Sequence, residues 1–129
     1  MTGLDLLLLA AAGGMGAGAR YLVDGLVMRG RKPGQEVFPV GILVVNATGS
    51  FLLGLLTGLG AVIGPDWVSI LGLGLLGGYT TFATVSVETV LLAQWRRRDW
   101  AWVNLLVTLG VAVVAAGLGL MIGGLVPGA

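Results

Sequence analysis

Apolar residues dominate this chain in four long runs, from about Leu4 to Met28, Val37 to Ile63, Trp67 to Ala93 and Ala101 to Val126. Each exceeds the roughly 20 residues needed to cross a ~30 Å hydrocarbon layer at ~1.5 Å per residue, so four transmembrane helices are predicted. The breaks between runs are short and polar. Arg29 to Glu36 is rich in charge, Gly and Pro, Gly64-Pro65-Asp66 is a minimal turn, and Gln94 to Trp100 carries three arginines. Such connections make successive helices antiparallel neighbours, and the expectation is an all-α, single four-helix transmembrane domain over residues 1–129. Nothing outside the runs suggests a signalling domain, a tail or a repeat array. The first residues carry Asp5 and no Lys or Arg, unlike the basic start of a signal peptide, so they are read as part of the first span.

Composition agrees and removes whole classes of chemistry. Of 129 residues, 57% are hydrophobic and 10% charged, and the mean hydropathy is +1.00. A soluble domain of that length could not hide so much apolar surface. The absence of Cys excludes disulfides and thiolate chemistry, and the absence of His removes the usual general base and commonest metal ligand. Enzymatic catalysis is therefore not expected. A net charge of +1 gives no reason to expect a nucleic-acid partner.

The placement of charge is more informative than its sum. Of seven basic residues, Arg29, Arg31 and Lys32 lie in the first loop, Arg96, Arg97 and Arg98 in the third, and Arg20 inside the first span. Loops one and three of a four-span protein share a side. The positive-inside rule puts loops 29–36 and 94–99 in the cytoplasm and both termini outside. Trp67, Trp95, Trp100 and Trp102 fall near span ends, where their rings anchor in the headgroup region. Glycines recur four apart (Gly14 and Gly18, Gly54 and Gly58, Gly74 and Gly78, Gly119 and Gly123), a spacing that lets helices approach closely and favours a compact, oligomeric bundle.

Polar side chains inside the spans each need a partner. Arg20 and Asp24, four apart, are expected to pair as a structural ion pair. Asn46, with Thr48 and Ser50 nearby, must hydrogen-bond across helices or face water; glue and pore lining are equally compatible with it. Asn104 and Thr108 give the fourth span a polar stripe. The third span differs in kind. Gly77 to Thr89 combines two adjacent glycines, a run of hydroxyls, an aromatic ring and the carboxylate of Glu88. Such a segment survives in a membrane only where protein or water satisfies it, so the third helix is expected to be broken near its middle, at Gly77-Gly78-Tyr79-Thr80-Thr81. Broken helices build ion sites at the midplane: freed carbonyls suit a hard cation, freed N–H groups and hydroxyls an anion.

Three motifs in order carry a resemblance. Gly13-Gly14-Met15-Gly16-Ala17-Gly18-Ala19-Arg20-Tyr21, the stretch Phe38 to Phe51 around Asn46, and Gly77-Gly78-Tyr79-Thr80-Thr81-Phe82 followed by Glu88 are similar to motifs of the CrcB/Fluc fluoride channels, over essentially the whole chain. The resemblance implies a four-helix protein forming an antiparallel dimer that exports fluoride passively across the bacterial cytoplasmic membrane. It implies a structural Na⁺ held by backbone carbonyls of Gly77 and Thr80. It also implies a fluoride path lined by Asn46, Thr81, Phe82, Thr84, Glu88, Asn104 and Thr108, with Arg20 structural. An aromatic ring's edge is the positive part of its quadrupole, so edge-on contact of Phe82 with an anion is reasonable.

Three positions depart from the family pattern. Val85 stands where a second phenylalanine is usual, Ala83 where a serine is, and Ile42 where a threonine precedes the pore asparagine. Each change is expected to strip a polar or aromatic group from the path. Homodimeric members insert in both orientations with nearly balanced loops, whereas this chain has six loop cations on one side and none on the other. One subunit of a heterodimer, with an oppositely inserted second CrcB-type subunit, is therefore expected over a homodimer. Two alternatives are a small multidrug exporter, weakened by the lack of an acid between Leu6 and Gly18, and a non-conducting assembly or regulatory subunit.

Overall fold

The computed structural model describes residues 1–31 and 37–129; Lys32, Pro33, Gly34, Gln35 and Glu36, most of the expected first loop, lie outside the described residues. Among the described residues the regular structure is entirely helical: α1 (Gly3–Val27), α2 (Val40–Gly58), α3 (Gly60–Ile63), α4 (Pro65–Ser69), a π-helical segment (Ile70–Leu76), α5 (Gly77–Tyr79), α6 (Phe82–Gln94) and α7 (Arg98–Gly124). Four helical stretches are long and apolar enough to cross a membrane, with Pro65–Gln94 counting as one bent span of 30 residues.

Local chemistry sets the ends. A capping box starts α1: the Asp5 N–H donates to Thr2 Oγ1 (3.2 Å) while the Thr2 N–H donates to Asp5 Oδ2 (2.7 Å). Gly64 at φ +96° makes the turn into the third span, with Pro65 at the first helical position, where its missing N–H costs nothing. At the third loop Arg96 adopts a left-handed φ of 59°, and α7 begins at Arg98, three residues before the apolar run does. The Arg97 guanidinium lies 3.6 Å over the Trp100 ring and pairs with Asp99 at 3.3 Å. Phe38 meets Trp100 edge-on at 6.0 Å between centroids, so the start of α2 and the start of α7 share one end of the bundle. The helix ends that adjoin the first and third loops therefore share a side.

Packing runs through glycines, though not all the expected ones. α2 and α7 form the most extensive pair, with Gly54 against Ala116, Gly58 against Gly123, and Gly119 against Phe51. α1 packs on the first half of the third span: a side chain at Gly16 would strike the Leu75 carbonyl, and one at Gly78 the Gly13 carbonyl. Gly14 and Gly18 meet nothing in the chain and lie on the outer face of α1. Arg20 and Asp24 do not pair with each other. Among the described residues the one ion pair within 4 Å is Arg97–Asp99, and the Asp24 carboxylate packs instead against Gly41 on α2. Four-residue spacing permitted the pair, but the glycine on the neighbouring helix opened a closer berth.

Candidate functional site: a broken helix and its cavity

The third span parts at Thr80–Thr81. Both residues are extended, at φ −76°, ψ 152° and φ −150°, ψ 122°, while Gly77 and Gly78 are still helical. The break thus falls just after the glycines. Gly78 seats α5 on α1, its bare backbone lying against the Gly13 carbonyl. Thr80 closes the incoming helix, with its N–H (2.9 Å) and its hydroxyl (3.0 Å) both donating to the Leu76 carbonyl. Thr81 opens the outgoing one as its N-cap, its Oγ1 accepting from the Thr84 N–H at 3.2 Å.

Asn46 holds the parted strand. Its Nδ2 donates to the Thr81 carbonyl (3.1 Å) and its Oδ1 accepts from the Thr81 N–H (2.9 Å), a reciprocal clasp across 35 residues of sequence. Two backbone bonds are redirected as a result. In an unbroken helix the Thr81 N–H would close onto the Gly77 carbonyl and the Thr84 N–H onto the Thr80 carbonyl. Here the first goes to Asn46 and the second to the Thr81 hydroxyl, which frees the carbonyls of Gly77 and Thr80. A neutral, oxygen-only donor pair suits a hard cation such as Na⁺, and no cluster of acidic or histidine side chains competes for one among the described residues. A second clasp, Thr48 Oγ1 to Tyr79 Oη at 2.9 Å, ties α2 to the last residue of α5. Nothing in the sequence pairs these positions, 31 residues apart.

Beside the break lies a cavity of about 290 Å³ lined by Asn46, Ser50, Thr80, Thr81, Phe82 and Val85 from one side and Leu105, Thr108, Leu109 and Ala112 from α7. It gathers four of the expected path residues: Asn46, Thr81, Phe82 and Thr108. The Thr108 hydroxyl is buried without a hydrogen-bond partner among the described residues, although a threonine in a helix usually bonds back to its own turn. The second Nδ2 hydrogen of Asn46 is not used by the clasp either. Phe82 is 76% exposed in the single chain, so its ring projects from the subunit. Ser50, one turn after Asn46 on the same face, joins the lining; its four-residue spacing from Asn46 was the available signal.

The other expected residues stand elsewhere. Asn104, only 1% exposed, donates to Thr89 Oγ1 at 2.9 Å and to the Val85 carbonyl at 3.5 Å, bridging α7 to α6 outside the cavity lining. Thr84 does not line it, and neither does Glu88, whose Oε2 is buried without a hydrogen-bond partner among the described residues. Of the three departures, Val85 lines the cavity, whereas Ile42 is buried and Ala83 exposed away from it. Only the Val85 change alters this lining.

Residues 7–120 match the family model described as CrcB-like protein, Camphor Resistance (CrcB). The chain belongs to the CrcB family. Among similar CrcB-type proteins, one from Leifsonia xyli subsp. xyli, named Fluoride-specific ion channel FluC 1, is 50% identical over 127 residues, covering 97% of this chain and 90% of that one. A protein of the same name from Symbiobacterium thermophilum is 44% identical over 127 residues, 93% and 98% of the two chains. The Fluoride-specific ion channel FluC of Shewanella amazonensis is 40% identical over 117 residues, 89% and 92%. These relatives are named as channels, so the exporter alternative is not favoured.

Proposed function

We propose that this chain is a subunit of a fluoride-selective channel that lets fluoride leave the bacterial cytoplasm passively. The observation that carries the reading is the cavity at the break. It is lined by Asn46, whose second amide N–H the clasp leaves unused, by the Ser50 and Thr81 side chains and by the Phe82 ring, with the unpartnered Thr108 hydroxyl just behind its surface. Donors without counter-charge suit a small, strongly hydrated anion, because they replace part of its water without trapping it. Hydrogen fluoride enters a cell as the neutral acid and dissociates inside. The negative-inside potential then drives the anion out at ~2.3 kcal/mol per charge per 100 mV, with no nucleotide or proton carrier required.

Na⁺ fits as a structural ion on the carbonyls of Gly77 and Thr80. When bound it would fix the break electrostatically, and its hardness matches the oxygen pair. Two carbonyls from one chain under-fill a cation's shell, which favours a second subunit bringing its own pair. The exposed Phe82 ring also asks for a covering partner. The loop cations favour the orientation with loops 29–36 and 94–99 in the cytoplasm and termini outside. The same bias, with Val85 in place of a ring, supports an antiparallel heterodimer: one complete pore and one vestigial.

Fluoride efflux from loaded liposomes tests this, with chloride as the selectivity control. The chain co-purified with a related subunit of opposite loop charge is expected to conduct fluoride, and the chain alone weakly or not at all. Robust efflux by the chain alone would sink the heterodimer while supporting the channel. No fluoride flux with or without a partner would sink the channel.

A further inference from the structure

A second cavity, of about 390 Å³, opens between the later turns of α6 and the first turns of α7. Thr89, Ala93, Arg98, Ala101, Trp102 and Leu105 line it, and Leu105 is shared with the cavity at the break. Thr89 also accepts from Asn104, so a polar bridge between α7 and α6 borders this second space. The three consecutive arginines before it are not equivalent. Arg97 is taken up by Asp99 and the Trp100 ring, and Arg96 lies at the left-handed turn, lining neither cavity. Arg98 alone of the three faces the second cavity, and among the described residues no carboxylate lies within 4 Å of it. Its charge adds to the positive end of the 27-residue α7, whose N-cap residue Arg97 provides no side-chain cap.

We propose that this cavity is the cytoplasmic mouth of the fluoride path and that Arg98 concentrates the anion there before it passes Asn104 towards Thr108. The inference rests on the channel reading and the orientation given above. A single unscreened cation at a low-dielectric mouth raises local anion concentration severalfold, and salt removes the effect as the screening length shrinks from about 10 Å at 0.1 M to about 3 Å at 1 M.

Initial fluoride flux through the purified assembly in liposomes, at low fluoride and at low and high concentrations of an impermeant salt, tests it. Arg98→Gln is expected to lower flux about threefold at low ionic strength and little at high, Arg98→Glu to lower it further, and Arg98→Lys to restore it. Flux at saturating fluoride should change little, because the conduction path itself is untouched. Arg29→Gln, which removes the same charge from the same end but lines neither cavity, should leave flux near wild type. Equal flux for wild type and Arg98→Gln at low ionic strength would overturn the proposal, as would an equal loss in Arg29→Gln. A loss seen in phosphatidylglycerol vesicles and absent from phosphatidylcholine vesicles would also overturn it, since Arg98 would then be holding a lipid phosphate. Wild-type protein with no fluoride flux in any condition would instead overturn the channel reading on which the proposal rests.

Discussion

Asn46→Ala is the sharpest test of how the site is built. The substitution removes both bonds of the clasp, at 2.9 and 3.1 Å, and leaves the Thr81 N–H without a partner, whereas the Thr81 carbonyl, as the N-cap of α6, keeps the first intrahelical bond. Two hydrogen bonds between membrane helices contribute on average ~0.6 kcal/mol each. The orphaned Thr81 N–H raises the loss by ~1–3 kcal/mol. A figure of about 3 kcal/mol lies inside that range and corresponds to a shift of roughly 150-fold between the clasped and unclasped forms. The nearest remedy for the stranded Thr81 N–H is the Gly77 carbonyl one turn back, so relaxation closes the helix and consumes a carbonyl proposed to hold Na⁺. The variant should therefore melt earlier in detergent, lose any stabilisation by Na⁺ over a bulky organic cation, and lose fluoride flux. Asn46→Asp is intermediate in design: its carboxylate still accepts from the Thr81 N–H but presents a negative oxygen to the Thr81 carbonyl. A variant Asn46→Ala with wild-type melting, Na⁺ response and flux would refute the clasp as the determinant of the break.

Further outcomes follow from the same geometry. Thr108→Val removes a buried hydroxyl that has no partner, so stability should hold or rise slightly while fluoride flux falls; unchanged flux would remove Thr108 from the path. Gly78→Ala drives a methyl group into the Gly13 carbonyl and should destabilise by about 1–3 kcal/mol in thermal melts, whereas Gly14→Ala, with nothing near it in the chain, should be neutral or stabilising by up to ~1 kcal/mol. A loss at Gly14 accompanied by weaker dimerisation on sizing would assign that face to the partner. A double-mutant cycle of Asn104→Ala with Thr89→Val should give a coupling near 1 kcal/mol, and zero coupling would dismiss the α6–α7 bridge.

The sequence made the spans plain because twenty-odd apolar residues bounded by charge have few other uses. It also located the break to within a turn. The remaining error came from treating glycine as a breaker: Gly77 and Gly78 remain helical, Gly78 packed against Gly13 of α1, and the parting of Thr80 from Thr81 is set by an amide 35 residues earlier. Such a contact leaves no local trace. The π-helical turn over Ile70–Leu76 had no signal of its own either. Among polar residues, spacing alone paired Arg20 with Asp24 wrongly, since it cannot weigh a gap offered by a neighbouring helix at Gly41. Asn46 was left between glue and pore lining; its geometry makes it glue through the two bonds of the clasp and also places it in the lining of the cavity, with one N–H to spare.

The division of the third span also bears on how the protein reaches its membrane. α6 has 13 residues, ~20 Å of helix, too short to cross by itself. Its two halves also attach to different neighbours, the first to α1 and the second to α7. The segment Pro65–Gln94 must therefore enter the bilayer as one continuous hydrophobic stretch and part only afterwards, when α2 brings its amide alongside and α7 arrives to receive the second half. Insertion and maturation are then separable events. Asn46→Ala should reach the membrane in normal amount and full topology, and stall before the site is assembled.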